Sequence, residues 1–186
     1  MGETLTDLVT RRSVRSYKPE QIKENELNMI IEAGQFAPSA RNDQPWHFTV
    51  IQNKEILNKI NGIIKQIFLN SGNDVYIERA KVDNFSPFYH APTLIIVSAK
   101  EQSIAPHQDG ALALGNFFLA AHALGIGSVW IHSLRSLFDS EEGKELNKEL
   151  NIPEGHIIVG SGAFGYNAGS TPQAAPRKEG TVTFIK

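Results

Sequence analysis

Four cations fall within eight residues near the start of the chain, in RRSVRSYKPEQI (11–22): Arg11, Arg12, Arg15 and Lys18, with no acid among them. A planar guanidinium can donate two parallel hydrogen bonds to a phosphate, and Ser13 adds a hydroxyl between the arginines. The chemistry on offer is anion capture. A plainer reading stands level with it on spacing alone: cations at the C-terminal end of a helix over 4–12 complement its dipole without any ligand. A second group lies in PSARNDQPWHF (38–48). Pro38 and Ser39 lead to Asn42 and Gln44, whose amides each present a donor and an acceptor, as recognition of a flat heteroaromatic edge requires. Taken alone, this loop reads first as turn chemistry with an anchoring Trp46.

A third stretch is LGIGSVWIHS (124–133), where a buried helix breaks at glycine and a strand follows. Beyond Trp130 and Ile131 its end exposes backbone N–H groups at His132 and Ser133, and ligands often sit at the carboxyl ends of strands. His132 by itself reads as a polar loop residue rather than a base. GSGAFG (160–165), at the exit of a strand over 156–165, is not followed by a helix, so no dinucleotide-binding fold is expected. Arg177 and Lys178 are either a solvated pair flanking the last strand or a second clamp on the same anion. The six histidines form no HExxH and no ligand-spaced pair, so no metal is expected. There are no cysteines, which excludes disulfides, thiolate nucleophiles and Cys-ligated metals and suits a reducing cytoplasm. We nominate no catalytic acid, base or nucleophile.

These residues need elements to hold them. A helix from Thr4, capped there, would carry Leu5, Leu8 and Val9 inward, and a second over 24–36 carries Leu27, Ile30, Ile31 and Gly34 at helical spacing. HFTVI (47–51) reads as a strand. Asn53 then opens an amphipathic helix with Ile56, Leu57, Ile60, Ile63, Ile64, Ile67 and Phe68 on one stripe. Residues 70–90 show no period. TLIIVSA (93–99) reads as a buried strand, 109–124 as a helix apolar nearly all round, and GSVWI (127–131) as a strand. Ser140 caps a short helix to about Leu150, and TVTFI (181–185) reads as a final strand. The expected fold is α+β, a mixed central sheet of four to five strands flanked by helices, in one domain over 1–186.

Composition narrows the partners. With 41% hydrophobic and 20% charged residues this is an ordinary globular chain, and a pI near 6.3 gives no global attraction to nucleic acid or anionic membrane. The longest apolar run, Ala111 to Leu124, is broken by Gly115, Asn116 and His122 and is too short to cross a bilayer. No export signal is read at the N-terminus. A cytoplasmic location is expected.

In this order, RRSVRSY, APSARNDQPWHF, the buried helix into ALGIGSVWI and the basic pair before a last strand resemble the nitroreductase family of FMN-dependent oxidoreductases over essentially the whole chain. The resemblance implies an α+β homodimer with FMN at the interface. It implies hydride delivery from NADH or NADPH to flavin N5 and onward transfer to a nitroaromatic or quinone in a ping-pong cycle. It assigns Arg11, Arg12 and Ser13 to the FMN phosphate and ribityl side, and Arg15 to flavin N1 and O2. Pro38, Ser39, Asn42 and Gln44 would reach the flavin from the partner subunit. Trp130 and Ile131 would lie against the ring, the His132–Ser133 backbone would face N5, and Asp109 would touch the ring. Arg177 would bind phosphate. Where members often carry a second basic residue this chain has Ala175, and Lys178 is the candidate substitute. The C-terminal strand would cross to the partner's sheet. Two other classes remain open: a flavin or nucleotide binder without turnover, and a basic-arm binding protein without flavin.

Overall fold

The computed structural model describes residues 2–186, the Ser136 side chain apart. Its strands β1 (Trp46–Ile51), β2 (Thr93–Lys100), β3 (Gly127–Trp130) and β4 (His156–Gly165) form one sheet in the order β1-β2-β4-β3. Among the described residues seven α-helices surround it: α1 (Glu3–Thr10), α2 (Glu24–Gln35), α3 (Lys54–Leu69), α4 (Asp74–Lys81), α5 (Pro106–Ala123), α6 (Arg135–Phe138) and α7 (Glu141–Glu149).

β2 explains the layering. Its run is apolar throughout, yet Leu94 and Ile96 enter one core while Ile95 and Val97 enter the other. A strand buried on both faces needs no polar alternation. On the first side α3 supplies Leu57, Ile60, Ile64 and Phe68, with α6 and α7 adding Leu137 and Leu146. On the second, α2 and α5 supply Leu27, Ile30, Leu114, Phe117 and Phe118. Gly34 lets the two helices close: a Cβ there would sit 1.9 Å from the Phe117 ring. The α3 cap is as expected, Asn53 accepting from the Glu55 and Ile56 N–H groups at 2.9 and 3.1 Å.

Several expectations are corrected. The three ladders are all antiparallel rather than mixed; between β1 and β2, α3 and α4 pack on each other, out and back, and return the chain to the end of the sheet it left. The parallel pairing is an isolated bridge, Ser13 to Ser128. Residues 70–90 contain α4, capped by Asn73; the helix is short and mostly solvated, so its sequence carries little period. The α1 helix starts at Glu3 without a side-chain cap, and Leu5, Leu8 and Val9 point outward, each more than half exposed. GSGAFG lies within β4, whose bounds are those expected. Cβ atoms at Gly160 and Gly162 would meet the Trp130 ring at 2.5 Å and the Phe118 ring at 2.7 Å, so these glycines make room for aromatic rings. Residues 181–185 form no strand in the single chain, and 168–186 are exposed throughout.

Candidate functional site

The basic segment leaves α1 and lies along the free side of β3, where Val14 N–H donates to the Ser128 carbonyl at 3.0 Å. Tyr17 holds it there by donating its hydroxyl to the Val14 carbonyl at 2.6 Å and the Ala163 carbonyl at 3.3 Å. Burial first, then the neighbouring Tyr89, push the Tyr17 pKa up, so the hydroxyl stays a donor. Each cation then has its own surroundings. Arg11 is half-buried over the Phe118 ring, 5.9 Å from its centroid, and Phe118 in turn lies 6.2 Å from Trp130. Arg12 turns back, donating Nη1 to the Val9 and Arg11 carbonyls at 2.8 and 2.6 Å. For Arg12 the helix-end reading is therefore right in part, although its buried Nε has no partner. Arg15 is exposed and lies 6.0 Å from the Tyr89 ring centroid. Among the described residues, none of the three arginines is in an ion pair. Three guanidinium groups left without a carboxylate, one with an orphaned buried N–H, suit a bound anion.

Trp130 stands beside this segment, 37% exposed, because Gly160 gives its ring a seat on the sheet. Ile131 does not join it. Its side chain is buried in the α3-side core, and its backbone N–H is already given to the Ser161 carbonyl at 2.8 Å. Strand alternation explains the correction, since neighbours on a strand face opposite ways. His132 and Ser133 lie in a short 3-10 turn at the end of β3, His132 exposed.

Next to Arg15 is a cavity of about 480 Å³ lined by Arg15, Ser16, Tyr17, Asn84, Ser86, Tyr89 and His90. Ser86, Tyr89 and His90 escaped sequence reasoning. Their one signal is a His in a polar stretch that has no helical or strand period.

The Pro38–Gln44 loop is elsewhere. It leads into β1 at the opposite edge of the sheet, three strand spacings from β3, or about 14 Å. Trp46 and Trp130 are also four residues out of step along β2, which adds about 13 Å. The loop is strained and tied down. Arg41, Asn42 and Gln44 all have positive φ (53°, 57° and 49°). Gln44 N–H donates to Ser39 Oγ at 3.0 Å, and Gln44 Nε2 to Asn42 Oδ1 at 3.0 Å. From beneath, Asp109 Oδ1 accepts the Ala40 N–H at 3.1 Å. Asp109 is 3% exposed, and in this chain it braces the loop; its Oδ2 is buried without a partner. Asn42 and Gln44 border a groove of about 740 Å³ with Phe36, Trp46, His47 and Phe48. Arg177 and Lys178 lie on the exposed arm, where Arg177 donates to its own Ala175 carbonyl. One chain thus brings Arg11 near Trp130 through Phe118 and puts Arg15 at a cavity with Tyr17 and Tyr89. It leaves the amide loop and the terminal cations apart from them.

Arginines without carboxylate partners, Arg11 near Trp130 and Arg15 at a cavity, offer chemistry that suits a flat ligand with an anionic tail. The family model described as the nitroreductase family matches residues 8–166. The chain belongs to the nitroreductase family. A nitroreductase from Bacteroides fragilis, crystallised with FMN, superposes with a TM-score of 0.93 at 38% identity over 100% of both chains. Another from Desulfitobacterium hafniense, also with bound FMN, gives 0.92 at 27% identity over 100% of both. FMN reductase (NAD(P)H) of Bacillus subtilis is 30% identical over 167 residues, 83% of this chain and 61% of that protein. Among the described residues no helix is long and apolar enough to cross a membrane, and no group of three or more His, Asp or Glu could hold a metal.

Proposed function

We propose that the protein is an FMN-dependent oxidoreductase, working as a homodimer, that moves electrons from NADH or NADPH to a small conjugated acceptor such as a nitroaromatic or a quinone. The observation that carries this reading is the set of unpaired arginines laid on the sheet edge beside Trp130, in a member of this family. FMN, when bound, supplies the redox chemistry; the chain supplies position and field. Arg11 and Ser13 hold the phosphate side, with Arg12 adding only what α1 leaves free. Arg15 places a cation at the ring edge, where it favours the reduced, anionic form. Trp130 walls the pocket, and the His132–Ser133 backbone closes it. One pocket serving both the nicotinamide and the acceptor makes the cycle ping-pong.

What supports a two-chain site is the separation just described. Asn42 and Gln44 sit at the far edge of the sheet from Arg11, so a second copy must bring its own loop, with Pro38 and Ser39 at its base and Asp109 under it. The exposed arm, with Arg177, Lys178, Val182, Phe184 and Ile185, suits a crossing to that copy, where the outer edge of β1 has no strand beside it.

The deciding measurement is an absorbance spectrum of the purified protein, followed by anaerobic mixing with each nicotinamide. Yellow protein bleached by NADH or NADPH and recoloured by a nitroaromatic or a quinone is the expected result. Flavin that dithionite reduces and neither nicotinamide does would make the protein a binder, and colourless protein that takes up no FMN would end the flavin reading.

A further inference from the structure

The turn bordering the Arg15 cavity contains two consecutive non-glycine residues with positive φ, Tyr89 (58°) and His90 (53°). Bulky L residues avoid this region of backbone space, and such residues cluster where a site over-determines the chain. Here the surroundings do so. Phe85 and Phe88 are buried on either side of Ser86. Tyr89 N–H donates to the Ser86 carbonyl at 3.3 Å, His90 N–H to Ser86 Oγ at 2.9 Å, and Ala91 N–H to the Phe88 carbonyl at 3.1 Å. This backbone turns the Tyr89 ring toward Arg15 while Phe88 stays in the core. Arg15 has little else to hold it: it is exposed, and its other contact is a long hydrogen bond from Nη1 to the Ser13 carbonyl at 3.4 Å. A long, free side chain spreads its charge over many rotamers, whereas one seated on an aromatic face does not. Tyr17 lines the same cavity as Arg15 and Tyr89.

We propose that Tyr89 is a positioning residue: its ring holds the Arg15 guanidinium at the flavin edge and thereby raises the flavin's reduction potential. The inference rests on the FMN reading of Arg15 given above. Coulomb attraction falls with distance, so a cation released to solvent stabilises the anionic reduced ring less than one held beside it.

The test is the midpoint potential of FMN-loaded protein, read by dithionite titration against a reference dye. Arg15→Gln should lower the potential, and Tyr89→Leu should lower it by a smaller amount. Tyr89→Phe keeps the ring face and should restore the parent value. Tyr89→Gly accepts the positive φ without strain, so it should show the Leu variant's potential with no loss of thermal stability relative to that variant. In the Arg15→Gln background, Tyr89→Leu should add no further shift, because the cation it positions is gone. If Tyr89→Leu and Tyr89→Gly keep the parent potential while Arg15→Gln lowers it, the positioning role is wrong and the reading of Arg15 stands. If Tyr89→Leu shifts the potential equally in both backgrounds, the ring acts on the flavin directly and the proposal falls. An unchanged potential in Arg15→Gln removes the reading beneath it.

Discussion

Arg11 and Arg12 are adjacent, identical in type and different in work. Arg11 presents an unpaired guanidinium over Phe118, while Arg12 spends Nη1 on the carbonyls that close α1. Arg11→Ala should therefore weaken FMN binding about tenfold to a hundredfold, the about 1.5–3 kcal/mol of a charge-assisted hydrogen bond. Arg12→Ala should change affinity less and loosen the α1 end instead. Titration of apo-protein with FMN, with circular dichroism for the helix, separates the two; equal losses of affinity would mean that the helix-end bonds of Arg12 do not set its role. A residue-scale effect of pH lies at the opposite end of the sheet. Burial first, then His47 and Lys100, lower the His156 pKa, and its Nδ1 lies 3.2 Å from Ser98 Oγ. The neutral ring is favoured in the folded state, so its contribution is present above the ordinary histidine pKa of about 6.5 and is lost as pH falls below it. His156→Gln should flatten the fall in urea stability between about pH 7 and 5; an unchanged slope would assign that fall to other groups.

At the scale of elements, the amide loop owes its shape to a helix seventy residues away. Ala40 N–H has its acceptor on Asp109, in the first turn of α5, where the helix dipole also favours a carboxylate. Three positive-φ residues in Arg41–Gln44 would relax if that anchor were cut. Asp109→Ala should cost about 1 kcal/mol by denaturant unfolding, the loss of a hydrogen bond from a partly buried donor. Asp109→Asn keeps an acceptor and should recover much of it. The FMN off-rate should rise in the alanine variant alone. Equal stability of the two variants would show that the loop holds itself through Ser39 and Gln44.

For the whole molecule, apolar surface remains uncovered on elements that flank the site. Leu5, Leu8 and Val9 on α1, Leu112 on α5 and Phe36 after α2 are exposed, as are Val182, Phe184 and Ile185 on the arm. An obligate dimer would bury such surface. Light scattering should find a dimer. Chains carrying Arg11→Ala and chains carrying Asn42→Ala, refolded together, should regain FMN at one site per hybrid, because that site takes its Arg11 from the Asn42→Ala copy and its Asn42 from the Arg11→Ala copy. An FMN-loaded monomer, or mixed dimers that recover no flavin, would place both residues of the site on one chain.

Much of this was legible in the chain order itself. Helical spacing in α2 and α3, the apolar run of β2, the Asn53 and Ser140 caps and the breaks at Gly125 and Pro38 are local facts, written in neighbouring residues. So was the family, because RRSVRSY and PSARNDQPW keep their types and order whatever the chain does between them. Other features depend on what lies across space. Why 160–165 is rich in glycine lies in the Trp130 and Phe118 rings that need the room, and Ile131, expected against the ring, has its side chain in the core through strand alternation. The weak period of α4 hid a helix that packs against α3. Arg12 and Asp109 have roles set by carbonyls and an N–H group that folding brings to them. The amide loop and the arginines, which the resemblance assigns to one site but to different subunits, stand on opposite edges of the sheet. Spacing along a chain fixes which side chains share an element; which elements share a site is decided only when strand order and packing place them, and here that order parts them.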